Sequence, residues 1–217
     1  MKVLLKIGSM MIFLIFSQVL FAQGNTPPKI FVVKIPLTQC NGQCAYIGEI
    51  NPNGNYGNYV NFTAGKWTWD SKPAAMRSLI QFDLTSIPSN AVILSAKLVL
   101  KANPPGSGFP SVAYAQPNGL VFKPLLTTWS ENTVTWSSSP TVGPVMATHT
   151  GSLANGILLP SDNITVDVTT LIKAQKLGNN FGMMMQLVDE SQHYKIRSFG
   201  SDDGPAAKVP VLEITFN

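Results

Sequence analysis

The sequence predicts an all-β protein, a single β-sandwich of jelly-roll type with one short helix near residues 170–177. Three observations carry that prediction. Short apolar runs recur at roughly the 8–12-residue spacing of sandwich strands, clusters of Gly, Pro, Asn and Ser bound them, and side chains within them alternate between apolar and polar.

The expected strands are 29–37, 44–50, 59–64, 75–84, 91–102, 119–126, 144–150, 163–168, 181–188, 194–199 and 208–216. In 75–84, Met76, Ser78, Ile80 and Phe82 fall on one face and Arg77, Leu79, Gln81 and Asp83 on the other. In 93–101, Ala96, Leu98 and Leu100 oppose Ser95, Lys97, Val99 and Lys101. One face is core and the other partly wet. Leu79 and Val99 imply that the second face is also partly covered, by a sandwich edge or a loop. The helix takes Thr169 as its cap, carries Leu171, Ile172 and Leu177 on one stripe, and stops at Gly178 in a left-handed conformation. The turn Asn179–Gly182 then returns the chain to a strand.

At the N-terminus, Lys2 and Lys6 precede an apolar run from Ile7 to Phe21, followed by small Ala22 and polar Gln23, Gly24 and Asn25. That order is a secretory signal. The run is broken by Gly8, Ser9, Ser17 and Gln18 and falls short of the roughly 20 residues that span a bilayer. The expected organisation is a signal peptide over 1–22, a linker over 23–29 in which Pro27 and Pro28 lack backbone donors, and one domain over 30–217. The mature chain is thus expected to be secreted or periplasmic, with no transmembrane anchor after cleavage. The formal charge of +4 loses Lys2 and Lys6 with the signal, leaving about +2, too little to draw a nucleic acid by bulk charge.

Cys40 and Cys44 stand with three residues between them in a chain bound for an oxidising compartment, which predicts a small disulfide loop. So short a loop removes little denatured-state entropy, so its use is to pin a turn. A metal site would need more ligands, and His149 and His193 lie far off in sequence. No cofactor is expected. Asn51, Asn53, Asn55, Asp202 and Asp203 offer hard oxygens for a structural calcium, yet Asn-Gly and Asp-Gly turns account for the same residues.

Three patterns together resemble one known family. "NPNGNYGNYV" leads to "MRSLIQFDLTSIPSNAVILSAKLVLK", an Asn/Gly-rich turn before an Arg-bearing strand that ends F-D-L and a strand of S-A-x-L-x-L form. "TTWSENTVTWSSSP" sets Trp129, Glu131, Thr135 and Trp136 in a W-x-E-x-x-x-T-W arrangement. "VDVTTLIKAQKLGNNFGMMM" and "IRSFGSDDGPAAKVPVLEITF" close the series over about residues 46–217. The chain thereby resembles the DNRLRE family, secreted β-sandwiches of which some members are carbohydrate-binding modules. It departs from the pattern in the long segment 103–126 and in its Cys-bearing N-terminal part. The landmarks themselves read as structure: Trp129 and Trp136 as plugs of the core or an edge, Glu131 as an acceptor of turn amides, and Asp83 and Asp167 as turn caps.

Sugar recognition on a sandwich uses aromatic faces, hydroxyl-satisfying polar groups and cations for any carboxylates. In "AGKWTWDSK", Trp67 and Trp69 share a face, Lys66, Thr68 and Asp70 take the other, and Lys72 is nearby. In "QHYKIRSF", alternation puts His193, Lys195 and Arg197 on one face and Tyr194, Ile196 and Ser198 on the other, with Arg77 of another strand a candidate to join the cationic row. The expected function is a secreted, non-catalytic polysaccharide-binding module with Trp67, Trp69, Lys66, Arg77, His193, Tyr194, Lys195 and Arg197 as its ligand-binding set. The cationic row suits acidic, uronate glycans. The alternatives are a structural or adhesive surface protein and, further off, a polysaccharide lyase using the His193–Arg197 residue types. No nucleophile elbow, free Cys/His pairing or phosphate loop is present in the sequence.

Overall fold

A computed structural model describes residues 28–38, 42–103, 118–150 and 162–217. The signal segment 1–22, most of the linker, and Cys40 lie outside the described residues. Two antiparallel sheets face each other. The smaller runs β1(Phe31–Pro36), β11(Val211–Phe216), β5(Ile93–Leu100) and β8(Ile164–Asp167). The larger runs β10(Lys195–Gly200), β3(Asn61–Trp69), β4(Lys72–Phe82), β9(Met183–Leu187), β6(Leu120–Pro124) and β7(Ala147–His149), with β2(Gly42–Gly48) also paired to β4. The chain is therefore the predicted β-sandwich, and its one α-helix, α1(Thr169–Leu177), lies where the apolar stripe put it.

Alternation builds the core. Ala96, Leu98 and Leu100 of β5 meet Ile80 and Phe82 of β4 and Phe122 of β6 between the sheets, while Leu94 and Lys97 stay exposed. Leu171 and Ile172 of α1 join the same cluster. The second face of β4 is covered too, as Leu79 foretold: Leu79, Ala45, Ile47 and Met184 are roofed by Leu125, Val134, Trp129 and Trp136 from the β6–β7 connection. Trp129 donates its Nε1–H to Phe181 O at 2.9 Å, satisfying the indole as a plug must.

The position of the aromatic face is set at a fork in the larger sheet. β3 pairs with β4 only from Gly65–Trp69 against Met76–Lys72, and β9 then takes over at Ser78–Ile80. At the fork Ser78 Oγ accepts the Thr63 N–H and donates to Thr63 O, both at 2.7 Å. This side chain supplies the pairing the backbones no longer make, which buried amides require. Met76, one step before the fork, is buried outside the main cluster and packs with Ile196, Tyr46, Trp67 and Trp69.

β3 runs on past the expected 59–64 to Trp69, where Asp70 and Ser71 turn the chain with φ of 48° and 62°. Two successive positive φ values match the twist of a two-residue hairpin loop. At α1 two expected details change. Thr169 does not cap; its Oγ accepts the Ala96 N–H at 2.9 Å, and the residue before the helix is Val168, with Asp167 Oδ1 accepting the Thr169 N–H. Gly178 has φ −120°, not left-handed, and its N–H donates to Ala174 O at 3.0 Å. The left-handed glycine is Gly182, at φ 86°, where a Cβ would run into Ile80 O.

Candidate functional site

The pleat of β3 sends Asn61, Thr63, Gly65, Trp67 and Trp69 to one face. Register sets Gly65 opposite both Met76 and Ile196, Trp67 opposite Ala74 and Trp69 opposite Lys72, and directly opposed residues share a face. Small residues at Gly65 and Ala74 let the indoles lie against the buried Met76 and Ile196. A Cβ on Gly65 would meet Met76 Cε at 2.7 Å, so the glycine is what seats that methionine.

The face continues to either side. Trp67 meets Tyr194 edge-on at 5.1 Å between centroids, and Tyr194, itself exposed, meets His193 at 4.7 Å. Tyr46 contacts Tyr56 at 4.8 Å and Tyr59 at 5.7 Å. Between the tryptophans and the tyrosines lies a cleft of about 80 Å³ lined by Tyr46, Tyr59, Asn61, Thr63 and Trp69. That volume is far below the roughly 300 Å³ of a pocket that encloses a small molecule, so the face is an open, shallow surface of rings and not an enclosing pocket. Burial, then the neighbouring tyrosines, hold the Tyr46 phenol far above its ordinary range, and it remains a neutral donor.

The cationic row lies elsewhere. Lys195 and Arg197 do share a face, but it is the inner one, with Phe199 in the core. Lys195 is 3% exposed and Arg197 fully buried, so neither forms the expected surface strip. Charges taken inside need partners. Lys195 Nζ pairs with Asp189 Oδ2 at 2.8 Å, and the hydrogen bond from Lys195 holds that carboxyl well below the ordinary range. Arg197 donates to Asp162 O at 2.8 Å and lies over the Phe199 ring. Lys66, across from Lys195, pairs with Glu49 at 3.1 Å. His193 falls out of the row because Tyr194 takes φ 65° and breaks the alternation before β10 begins. Arg77 does not join either. By register it lies on the same face as Lys66, which stands opposite Ala75, but Glu190 holds it in a fork at 3.1 and 2.7 Å and it stacks over Trp136.

A second cluster gathers at the start of β2. The buried Cys44 thiol donates to Asp202 Oδ1 at 2.8 Å, and Glu131 Oε1 accepts the Cys44 N–H at 3.1 Å. Cys44 is a free thiol here, and its expected partner Cys40 lies outside the described residues. Burial pushes the Cys44 thiol up, and burial followed by repulsion from Asp202 pushes Glu131 up to about 7. Glu131 thus accepts a strand amide where a turn amide was expected. Of the oxygens considered for calcium, Asn55 is occupied as a turn residue, its Nδ2 donating to Glu131 O and Val134 O. Asn51 Nδ2 donates to Tyr56 Oη.

The structure therefore brings together Trp67, Trp69, Tyr194 and His193, and separates them from Lys66, Lys195, Arg197 and Arg77. Sequence reasoning missed Tyr46, Tyr56, Tyr59 and Asn61. "NYGNYV" was legible only as a turn, and nothing local tells that its tyrosines fold back beside Trp69.

A family model described as carbohydrate-binding module family 96 matches residues 41–216. The span includes every landmark strand and the whole aromatic face, under the carbohydrate-binding name in place of the DNRLRE one. No curated protein matches the chain.

Proposed function

Because this chain belongs to carbohydrate-binding module family 96, we propose that it is an exported, non-catalytic module that holds a polysaccharide across the aromatic face of its larger sheet. The observation that carries this reading is the continuity of rings from Tyr46 through Trp69 and Trp67 to Tyr194, all packed on or beside Met76 and Ile196. Sugar rings present flat C–H faces, and indole and phenol rings bury them at low entropic cost. Asn61 and Thr63 at the cleft supply polar groups for hydroxyls. Export rests on the order of charged, apolar and small residues over 1–22. Among the described residues no helix is long and apolar enough to cross a membrane.

A lyase would need Tyr194 or His193 to share a substrate with a cation that neutralises the uronate. Lys195 and Arg197 are buried on the other face, which argues against that chemistry. Calorimetry of the mature chain against a panel of oligosaccharides tests the proposal. Binding that falls at least tenfold in Trp67→Ala and Trp69→Ala is expected. Self-association or cell attachment without any glycan dependence would instead establish the adhesive reading.

A further inference from the structure

We propose that Cys44, Glu131 and Asp202 form a binding site for one zinc ion, separate from the aromatic cluster. The three come from β2, the β6–β7 connection and the loop after β10, and one ligand atom of each lies within 4.8 Å of the other two. Atoms bound to one zinc at roughly 2.0–2.3 Å stand about 3.5 Å apart at tetrahedral angles, so small side-chain rotations close the set. The fold already gathers the three. The Cys44 thiol donates to Asp202 Oδ1 at 2.8 Å, and Glu131 Oε1 accepts the N–H of the same Cys44 at 3.1 Å.

The observation that points to a ligand is the second oxygen of Asp202. Asp202 Oδ2 is closed to solvent and has no hydrogen-bond partner among the described residues, and a buried carboxylate oxygen left in that state is costly. Its carboxyl touches a thiol that is itself only 2% exposed. Like charges add to the cost: after burial, the charges that push Glu131 up are those of Asp202 and Asp203. One divalent cation would satisfy the orphaned oxygen and oppose the negative charges together. The donor set selects its class. Calcium and magnesium take about six or more oxygen ligands, whereas zinc accepts a thiolate beside carboxylates and holds three protein ligands with water in the fourth position. On binding, the S–H bond of Cys44 breaks, the sulfur bonds the metal and the proton leaves to solvent. The ion would staple the connection that carries Trp129 and Trp136 to β2 and to the loop after β10. The same connection anchors the tyrosine turn, where Asn55 Nδ2 donates to Glu131 O at 2.7 Å.

Cobalt(II), added to the mature chain after its thiols are reduced and any metal is chelated, is the first probe. A thiolate-to-cobalt charge-transfer band is expected that saturates at one ion per chain and disappears when zinc is added. Zinc at about a hundred times its Kd should raise Tm by at least about 5 °C. Calorimetric zinc affinity should fall at least tenfold in Cys44→Ser, Glu131→Gln and Asp202→Asn, and stay within twofold in Cys40→Ser. The cobalt band is read on the unaltered chain, so a variant that fails to fold leaves the test standing. Absence of both the band and zinc binding would overturn the proposal. Binding without a thiolate band would do the same, as would binding lost in Cys40→Ser but kept in Glu131→Gln, which moves the metal to the cysteine pair. A Cys40–Cys44 bridge found in the exported chain by mass spectrometry would overturn it as well.

Discussion

The chain carries two pairs of partly buried tryptophans that the fold puts to different uses. Trp129 and Trp136 come from the long β6–β7 connection and roof Leu79, Ile47 and Met184, one with its indole N–H tied to Phe181 O and the other under the Arg77 guanidinium. Trp67 and Trp69 come from a strand, two residues apart, and lie half-buried on a face that continues into exposed tyrosines. Residue type does not separate the two pairs. Nor does burial, since all four are partly buried; what separates them is that Trp129 and Trp136 are themselves the layer that covers the outer face of β4 at Leu79, whereas the described residues place no such layer over β3 beyond the fork.

Trp129→Ala should produce the largest stability effect. It removes a large, partly buried ring from the layer over Leu79 and Met184 and strands the Phe181 carbonyl, a loss of about 3 kcal/mol by denaturant titration. If the pairs differ as argued, the folded fraction of that variant keeps its glycan affinity. Ser78→Ala should follow, at about 2 kcal/mol, because it leaves the Thr63 N–H and carbonyl unsatisfied at the fork. Ser78→Thr, which retains the hydroxyl, should recover part of that loss, and a Ser78→Ala protein as stable as wild type would show that the fork is held by something else.

Trp67→Ala is expected to invert the pattern of Trp129→Ala: a modest stability loss of about 1 kcal/mol, since its ring packs on the small Met76–Ile196 cluster and not over the covered face of β4, with glycan binding reduced at least tenfold. Equal effects on stability and binding in both tryptophan variants would dissolve the comparison.

The smallest effect is a pH dependence. Glu131 is pushed up to about 7 in the fold from an ordinary value of 4.5, so the native state favours its protonated form. Its contribution to stability is fully present below about pH 4.5 and is lost as pH rises through about 7. Denaturation midpoints measured between pH 5 and 8 should therefore decline through this contribution, and Glu131→Gln should flatten the decline. A decline unchanged in Glu131→Gln would assign it to another group.

Most of the architecture was legible because strand alternation is a local rule with a period of two. Ala96, Leu98 and Leu100 read as core and are core. Residues 170–177 read as the helix, and the helix runs Thr169–Leu177. The caps of α1 were not legible, because Thr169 found a better partner in a β5 amide than in its own helix, a contact across 73 residues. For the site, Trp67 and Trp69 could be placed on a common face from their spacing alone. The solvent exposure of Lys195 and Arg197 could not, since the same alternation that put them in one row is silent on which side of a sheet faces the core.

The sequence by itself determined periodicity: which residues share a face, where turns interrupt, and that a sandwich with one short helix results. Tertiary structure decided which faces were sealed. The reason is physical. Alternation follows from the geometry of a single strand, but burial depends on what packs above it, and here that is fixed by contacts between segments far apart in the chain, such as Ser78 with Thr63 and Trp129 with Phe181.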